Sequence, residues 1–349
     1  MRLYKSCLYF IIIFLIIMFT NCGDKVIRVI DGKIIDNEYD NHPPISNITP
    51  QVKEIQSSLA LLNCTAYYTQ YNFAFSDEVW KEDLTDPATL KKADVKNINR
   101  SSAGTGMVLA IRNKKILLLT CNHVIDYPSE VYEHYSKFYG DNYVNIYLKK
   151  KKQTQFISYK DNIIDMEVIA TDSRNDMVLL SGKSNIENIE LGRPNIKLGN
   201  SRDLRTGNFI YVFGFPKGHK MVSSGIVSMD DKREDVFLID TPFNRGMSGG
   251  IVYAIRDDSP NFELVGMATS SAANFEFILK PNEDVINKKM YNKSLPYEGS
   301  IYIEEKARIR YGITYVNNID LILDFLRRNK EKIEAAGFKI DSLIKSRDE

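Results

Sequence analysis

The chain has 349 residues, of which 44% are hydrophobic and 26% charged, with a formal net charge of +1. That composition is globular, and the length allows one large or two ordinary domains. A charge this close to zero excludes electrostatic attraction to nucleic acid as the basis of function.

The first residues read as an export signal. Arg2 and Lys5 are followed by an uninterrupted apolar run from Leu8 to Phe19. A bilayer span needs about 20 apolar residues, so the run fits a signal peptide (1–21) better than an anchor. The stretch Phe19-Thr20-Asn21-Cys22-Gly23 resembles the lipobox of bacterial lipoproteins, with Asn21 and Phe19 departing from its usual residues. That resemblance implies lipidation of Cys22, a membrane contact through the lipid, and an exported protein facing the periplasm or cell exterior. Residues 22–51 are polar, carry Pro43, Pro44 and Pro50, and read as a flexible tether. With Cys7 in the signal and Cys22 assigned, Cys64 and Cys121 remain, either paired or buried as free thiols.

From Ser58 the chain becomes a succession of short apolar runs separated by turns. Ser58 to Phe75 is a first strand region, and Asp77 to Arg100 is a charged surface loop with a short helix. Gly104-Thr105-Gly106 opens the next strand, and Ile116 to Thr120 is a buried strand ending at Cys121-Asn122-His123. Tyr143 to Leu148 alternates apolar and polar residues, the pattern of a half-buried strand. The one basic run, Lys149 to Lys152, then reads as a solvated hairpin tip before Thr154 to Tyr159. Asp176 stands directly before the strand Met177 to Leu180, with Asp165 and Asp172 as competitors for any role there. Strands at Phe209 to Phe213, Ser223 to Met229, Val236 to Thr241, Phe262 to Thr269 and Gly312 to Val316 complete an all-β pattern. Helix is expected only near the end, where Asn318 caps a run with Ile319, Ile322, Leu323 and Leu326 on one face. A helical tail occupies 331–349.

Between two apolar strands lies Asn244-Arg245-Gly246-Met247-Ser248-Gly249-Gly250. A serine in so glycine-rich a turn is open to a ligand, because glycine lets a backbone approach closely. His123, Asp176 and Ser248 then occur in that order. With Gly214-Phe215-Pro216, Ser224-Gly225-Ile226-Val227-Ser228 and the run from Asp240 to Gly250, they resemble trypsin-like (chymotrypsin-fold) serine peptidases, most closely the HtrA-type bacterial branch. The resemblance spans roughly Ser58 to Arg328 and implies two six-stranded antiparallel β-barrels with a C-terminal helix, in a domain from 52 to 330.

The resemblance also implies roles. Ser248 is the expected nucleophile, His123 its general base, and Asp176 the carboxylate that orients the imidazole. The amides of Gly246 and Ser248 are the expected oxyanion hole. Pro242 and Phe243 fall at the primary specificity pocket, and Thr269 and Ser270 on the strand that would receive substrate backbone. The implied partners are polypeptides; the implied chemistry uses no metal and no cofactor. Met247 departs from the aspartate of trypsin-like zymogens, which closes that activation route, and no PDZ domain is expected after the last strand. Two insertions stand out, Asp77 to Arg100 and Ala272 to Ile309, the second either a solvated loop or a cap over the site. A rival of a different class is a catalytically silent trypsin-fold lipoprotein that binds other proteins.

Overall fold

In the computed structural model, which describes residues 28–30, 33–44, 46–135, 142–159, 162–185, 191–192, 197–230, 235–257, 261–281, 294, 296–297, 299 and 301–341, strand dominates. The export signal and Cys22 lie outside the described residues. Among the described residues no helix is long and apolar enough to cross a membrane.

A small hairpin, β1 (Arg28–Ile30) with β2 (Lys33–Ile35), precedes helix α1 (Thr49–Ser57). The segment between them is docked on the molecule, where the sequence suggested a tether. Tyr39 is buried, donates to Glu263 Oε2 at 2.9 Å, and lies under the Arg256 guanidinium at 4.1 Å. An aromatic ring that fills a pocket and satisfies its hydroxyl there holds polar neighbours in place.

The first sheet contains β3 (Leu59–Asn72), β4 (Asp94–Arg112), β5 (Lys115–Thr120), β6 (Glu130–His134), β7 (Val144–Tyr159), β8 (Asn162–Asp165), β9 (Glu167–Asp172) and β10 (Met177–Lys183). Its order is β6-β7-β3-β4-β5-β10-β9, with β8 on β7, so it is eight-stranded and open where a closed six-stranded barrel was expected. The sheet is extended by the long strands β3, β4 and β7, with β3 pairing with β4 on one side and with β7 on the other. Two sequence expectations fail there for the same reason. Asp94 to Arg100 is strand, in register with Ala66 to Asn72, and only residues 75–90 form short helical turns. Lys149 to Lys152 is also strand and no hairpin tip. Both stretches lie largely in solvent, so backbone pairing sets their conformation without an apolar alternation to announce it. The lysines use neighbouring groups: Lys152 lies 4.7 Å over the Tyr67 ring, and Lys151 Nζ donates to Asn97 Oδ1 at 2.9 Å.

The second sheet is a closed barrel, β11 (Phe209–Gly214), β12 (Met221–Met229), β13 (Val236–Ile239), β16 (Ile301–Asn318), β15 (Phe262–Pro281) and β14 (Gly250–Ile255) in that order. This barrel meets the expected strand count. β15 and β16 are longer than expected, and residues 273–281 pair with 301–309 as a two-stranded arm, so these parts of the second insertion are strand.

Helix α2 (Ile319–Arg328) follows β16 without a break, its first turn capped by Asn318 Oδ1 accepting from the Leu321 amide. Its apolar face, with Ile322, Leu323, Phe325 and Leu326 buried, joins a core that also contains Leu117, Leu119, Leu179 and Phe213. Each such side chain contributes about 1.5–3 kcal/mol by leaving water. The two sheets and this helix therefore share one large hydrophobic cluster, beside which the second barrel has a cluster of its own. A short helix, α3 (Lys330–Ala335), follows, and Phe338 and Ile340 beyond it are buried in the shared cluster. Cys64 and Cys121 are both buried and free, which settles the choice the sequence left open.

Candidate active site

The seam between the sheets gathers three side chains from three separate turns. β5 and β10 are neighbours, with Thr120 opposite Val178, so the residues just past the end of β5 face those just before β10. One turn of 3-10 helix, Asn122–Val124, then turns His123 out of the buried strand. Asp176 takes a left-handed conformation (φ 53°), which Asp tolerates better than most residues. Its carbonyl accepts from the Asn122 amide at 3.2 Å, and its Oδ1 from the His123 amide at 2.8 Å. That leaves Oδ2 facing His123 Nδ1 at 2.7 Å.

Ser248 comes from the turn between β13 and β14, and its Oγ lies 2.8 Å from His123 Nε2. The three contacts are consistent with one tautomer, in which Nδ1–H donates to Asp176 and Nε2 accepts from the serine hydroxyl. Ser248 is 8% exposed and the His123 side chain 49%, so the hydroxyl is sheltered while the imidazole borders solvent.

Glycine is required in this turn at two places. Gly246 (φ 97°) would put a Cβ 2.1 Å from the Phe215 carbonyl oxygen, and Gly249 (φ 83°) one 2.1 Å from that of Thr105. The Arg245 carbonyl accepts from the Lys217 amide at 2.7 Å. Since C=O and N–H point opposite ways across a trans peptide, that bond turns the Gly246 N–H away from Lys217. Among the described residues neither the Gly246 nor the Ser248 amide donates to a backbone carbonyl.

The competing aspartates are placed differently. Asp172 accepts from Asn175 and from Arg328 Nη2 at 2.8 Å. Burial alone would raise its carboxyl, but the hydrogen bonds from Asn175 and Arg328 outweigh that and hold it below the ordinary value. Asp165 lies in β8, paired with Phe156. Asp240 Oδ1 accepts from the Ile226 amide at 2.7 Å, which commits that carboxylate to β12.

Of the residues expected at the specificity pocket, Pro242 is exposed, and Phe243 is buried in the second barrel's core cluster. Thr269 is buried with its hydroxyl toward the Tyr315 carbonyl at 3.4 Å, and Ser270 is exposed on β15. Cys121, His123 and Asp176 place ligand-type atoms within 4.8 Å of one another. Burial, with the Asp176 charge beside it, pushes the Cys121 thiol well up.

Two further residues, Thr105 and Asn317, hold this seam. The Thr105 hydroxyl, fully buried, donates to Gly246 O at 2.7 Å and accepts from the Phe215 amide at 2.9 Å, while the Thr105 amide donates to Ser248 O at 2.7 Å. Asn317 Nδ2 donates to the Asn175 carbonyl at 2.6 Å, tying β16 to the Asp176 turn. Thr105 sits in the Gly-Thr-Gly motif already singled out, but nothing in sequence marks its partner as Gly246.

Residues 104–267 match the family model for the trypsin-like peptidase domain, which supports a peptidase. No curated protein matches the chain. Among solved structures, the chain is similar to the Rv3671c protease of M. tuberculosis in its active form, at 12% identity and TM-score 0.37, covering 82% of this chain and 87% of that one. The inactive form of the same protease aligns at 12% identity and TM-score 0.36, covering 82% and 98%.

Proposed function

We propose that this protein is a serine endopeptidase acting on extended segments of extracytoplasmic proteins, with Ser248, His123 and Asp176 as its catalytic residues. The observation that carries the reading is the continuous contact from Ser248 Oγ to His123 Nε2 at 2.8 Å and from Nδ1 to Asp176 Oδ2 at 2.7 Å.

In this mechanism Ser248 Oγ attacks the scissile carbonyl carbon as its proton passes to His123 Nε2. The carbonyl oxygen becomes an oxyanion facing the Gly246 and Ser248 amides, a donor pair in which each member typically accounts for about 3–4 kcal/mol of barrier. Asp176 stabilises the imidazolium. Collapse of the intermediate breaks the C–N bond, and Nε2 returns the proton to the departing amine. Water then attacks the acyl-enzyme by the same route, releasing the acid and restoring the serine.

Substrate backbone would add to the free edge of β15 at Thr269 and Ser270. Pro242 and Phe243 carry no charge to pair with Arg or Lys, so cleavage after small or medium aliphatic residues is proposed. Lipidation at Cys22 would hold the enzyme at a membrane surface. A fluorophosphonate probe tests the central reading: it should label the wild type and not Ser248→Ala, and equal labelling of the two, or of neither, overturns it.

A further inference from the structure

The cleft beside Ser248 has a volume of about 520 Å³ and is lined by Asn63, Ser101, Ser102 and Ala103 on the first sheet, and by Lys217 and Arg245 opposite. Among the described residues it also includes His123, Gly246 and Ser248, but none of β15. If substrate enters as the proposed function has it, the acyl side lies along β15, and this cleft lies on the other side of the reacting carbonyl. It is the space that the departing amine and the residues after it would fill.

Its charge is one-sided. Among the described residues no acidic side chain lines it, and neither Lys217 nor Arg245 belongs to any salt bridge. The backbones of the two cationic residues are also tied together, the Lys217 amide donating to the Arg245 carbonyl at 2.7 Å. Lys217 makes that bond from a left-handed conformation (φ 51°), unfavourable for a lysine without a structural demand. One hydrogen bond therefore does two things: it turns the Gly246 amide toward the oxyanion position and ties together two cationic residues that line the leaving-group cleft. Two cations on a cleft wall give it a positive potential that attracts an anion.

We propose that this cleft is a subsite for an acidic side chain within the first two residues on the leaving side of the scissile bond, with Lys217 and Arg245 as its specificity-determining residues. The inference rests on the proposed substrate direction, and its test is kept separate from the test of catalysis. Fluorescein-labelled Ala-Ala-Leu-Glu-Glu-Ala amide and Ala-Ala-Leu-Gln-Gln-Ala amide are titrated against the full chain carrying Ser248→Ala, with anisotropy as readout. The Glu peptide should bind roughly tenfold tighter at low salt, as two partly exposed ion pairs would give. The margin should shrink at about 0.5 M salt, where screening shortens the reach of exposed charges. It should vanish in Lys217→Gln/Arg245→Gln and persist in Lys217→Arg/Arg245→Lys. Equal affinities, including no detectable binding of either peptide, overturn the subsite, as does a preference that survives the Gln pair. Probe labelling of the wild type reports on Ser248 independently of either result.

Discussion

The Thr105 hydroxyl and the Gly246 carbonyl meet at 2.7 Å across the seam between the two sheets. Thr105 Oγ1 also accepts from the Phe215 amide at 2.9 Å, so one buried side chain orients the serine turn from the opposite half of the molecule. Thr105→Val keeps the shape and removes both bonds, leaving a buried acceptor and a buried donor unmet. Such a loss typically costs about 1–3 kcal/mol per group. The expected outcome is a lower melting temperature together with a fall in kcat that exceeds any change in KM. Thr105→Ser should restore most of both; recovery of stability without recovery of kcat would place Thr105 in folding alone.

Gly246→Ala should be more damaging to catalysis than to folding. The new Cβ meets the Phe215 carbonyl oxygen at 2.1 Å and requires φ near 97°, so the peptide must rotate and carry its N–H away from the oxyanion position. Losing one donor of this kind lowers kcat by about 10²–10³. Steady-state kinetics on a variant whose circular dichroism matches wild type is the measurement, and an unchanged kcat would remove Gly246 from the mechanism.

Asp176 and Asp172 should separate cleanly. Asp176→Asn removes the partner of His123 Nδ1 and should lower kcat severely in a folded protein. Asp172→Asn instead weakens the contacts to Asn175 and Arg328 and should act on stability. Because the folded Asp172 carboxyl is held below its ordinary value, it stabilises the fold above the unfolded carboxylate pKa. That contribution is lost as pH falls through the lowered folded value. Acid unfolding of Asp172→Asn should therefore depend less steeply on pH across that window. A larger loss of kcat in Asp172→Asn than in Asp176→Asn would reverse the assignment.

Cleavage of a peptide library should occur chiefly after Ala, Val or Leu. The nearest candidate for a pocket anion, Asp240, is bonded to the Ile226 amide at 2.7 Å. Burying an unpaired Lys or Arg costs several kcal/mol, enough to exclude it from a dry pocket. Cleavage mainly after Arg and Lys would point to Asp240 as the missing anion.

Labelling cells with a radioactive fatty acid should tag the full-length chain, and Cys22→Ser should abolish the tag and release the protein from the membrane fraction. A Cys22→Ser product that stays membrane-bound would favour an uncleaved signal anchor.

The local grammar of this protein is written in its residues. Alternating and continuous apolar runs mark β5, β10 and β11, because a strand with a buried face must repeat every second residue or be apolar throughout. The Asn318 cap and the apolar stripe after it mark α2, and the glycines around Ser248 mark a turn that only glycine can take. His123, Asp176 and Ser248 could be selected as candidates because each stands at the end of such an element. What the residues could not announce is whatever depends on a partner remote in the chain. The solvent-exposed halves of β4 and β7 are strand only because β3 lies between them, and polar side chains carry no signature of that pairing. Tyr39 looks like part of a tether until Arg256 and Glu263 surround it. Thr105 is one threonine among many until the second barrel brings the Gly246 carbonyl within 2.7 Å. Short-range sterics and burial period act within a few residues and can be read from the chain; contacts across more than a hundred residues exist only once the two sheets have closed on a common core.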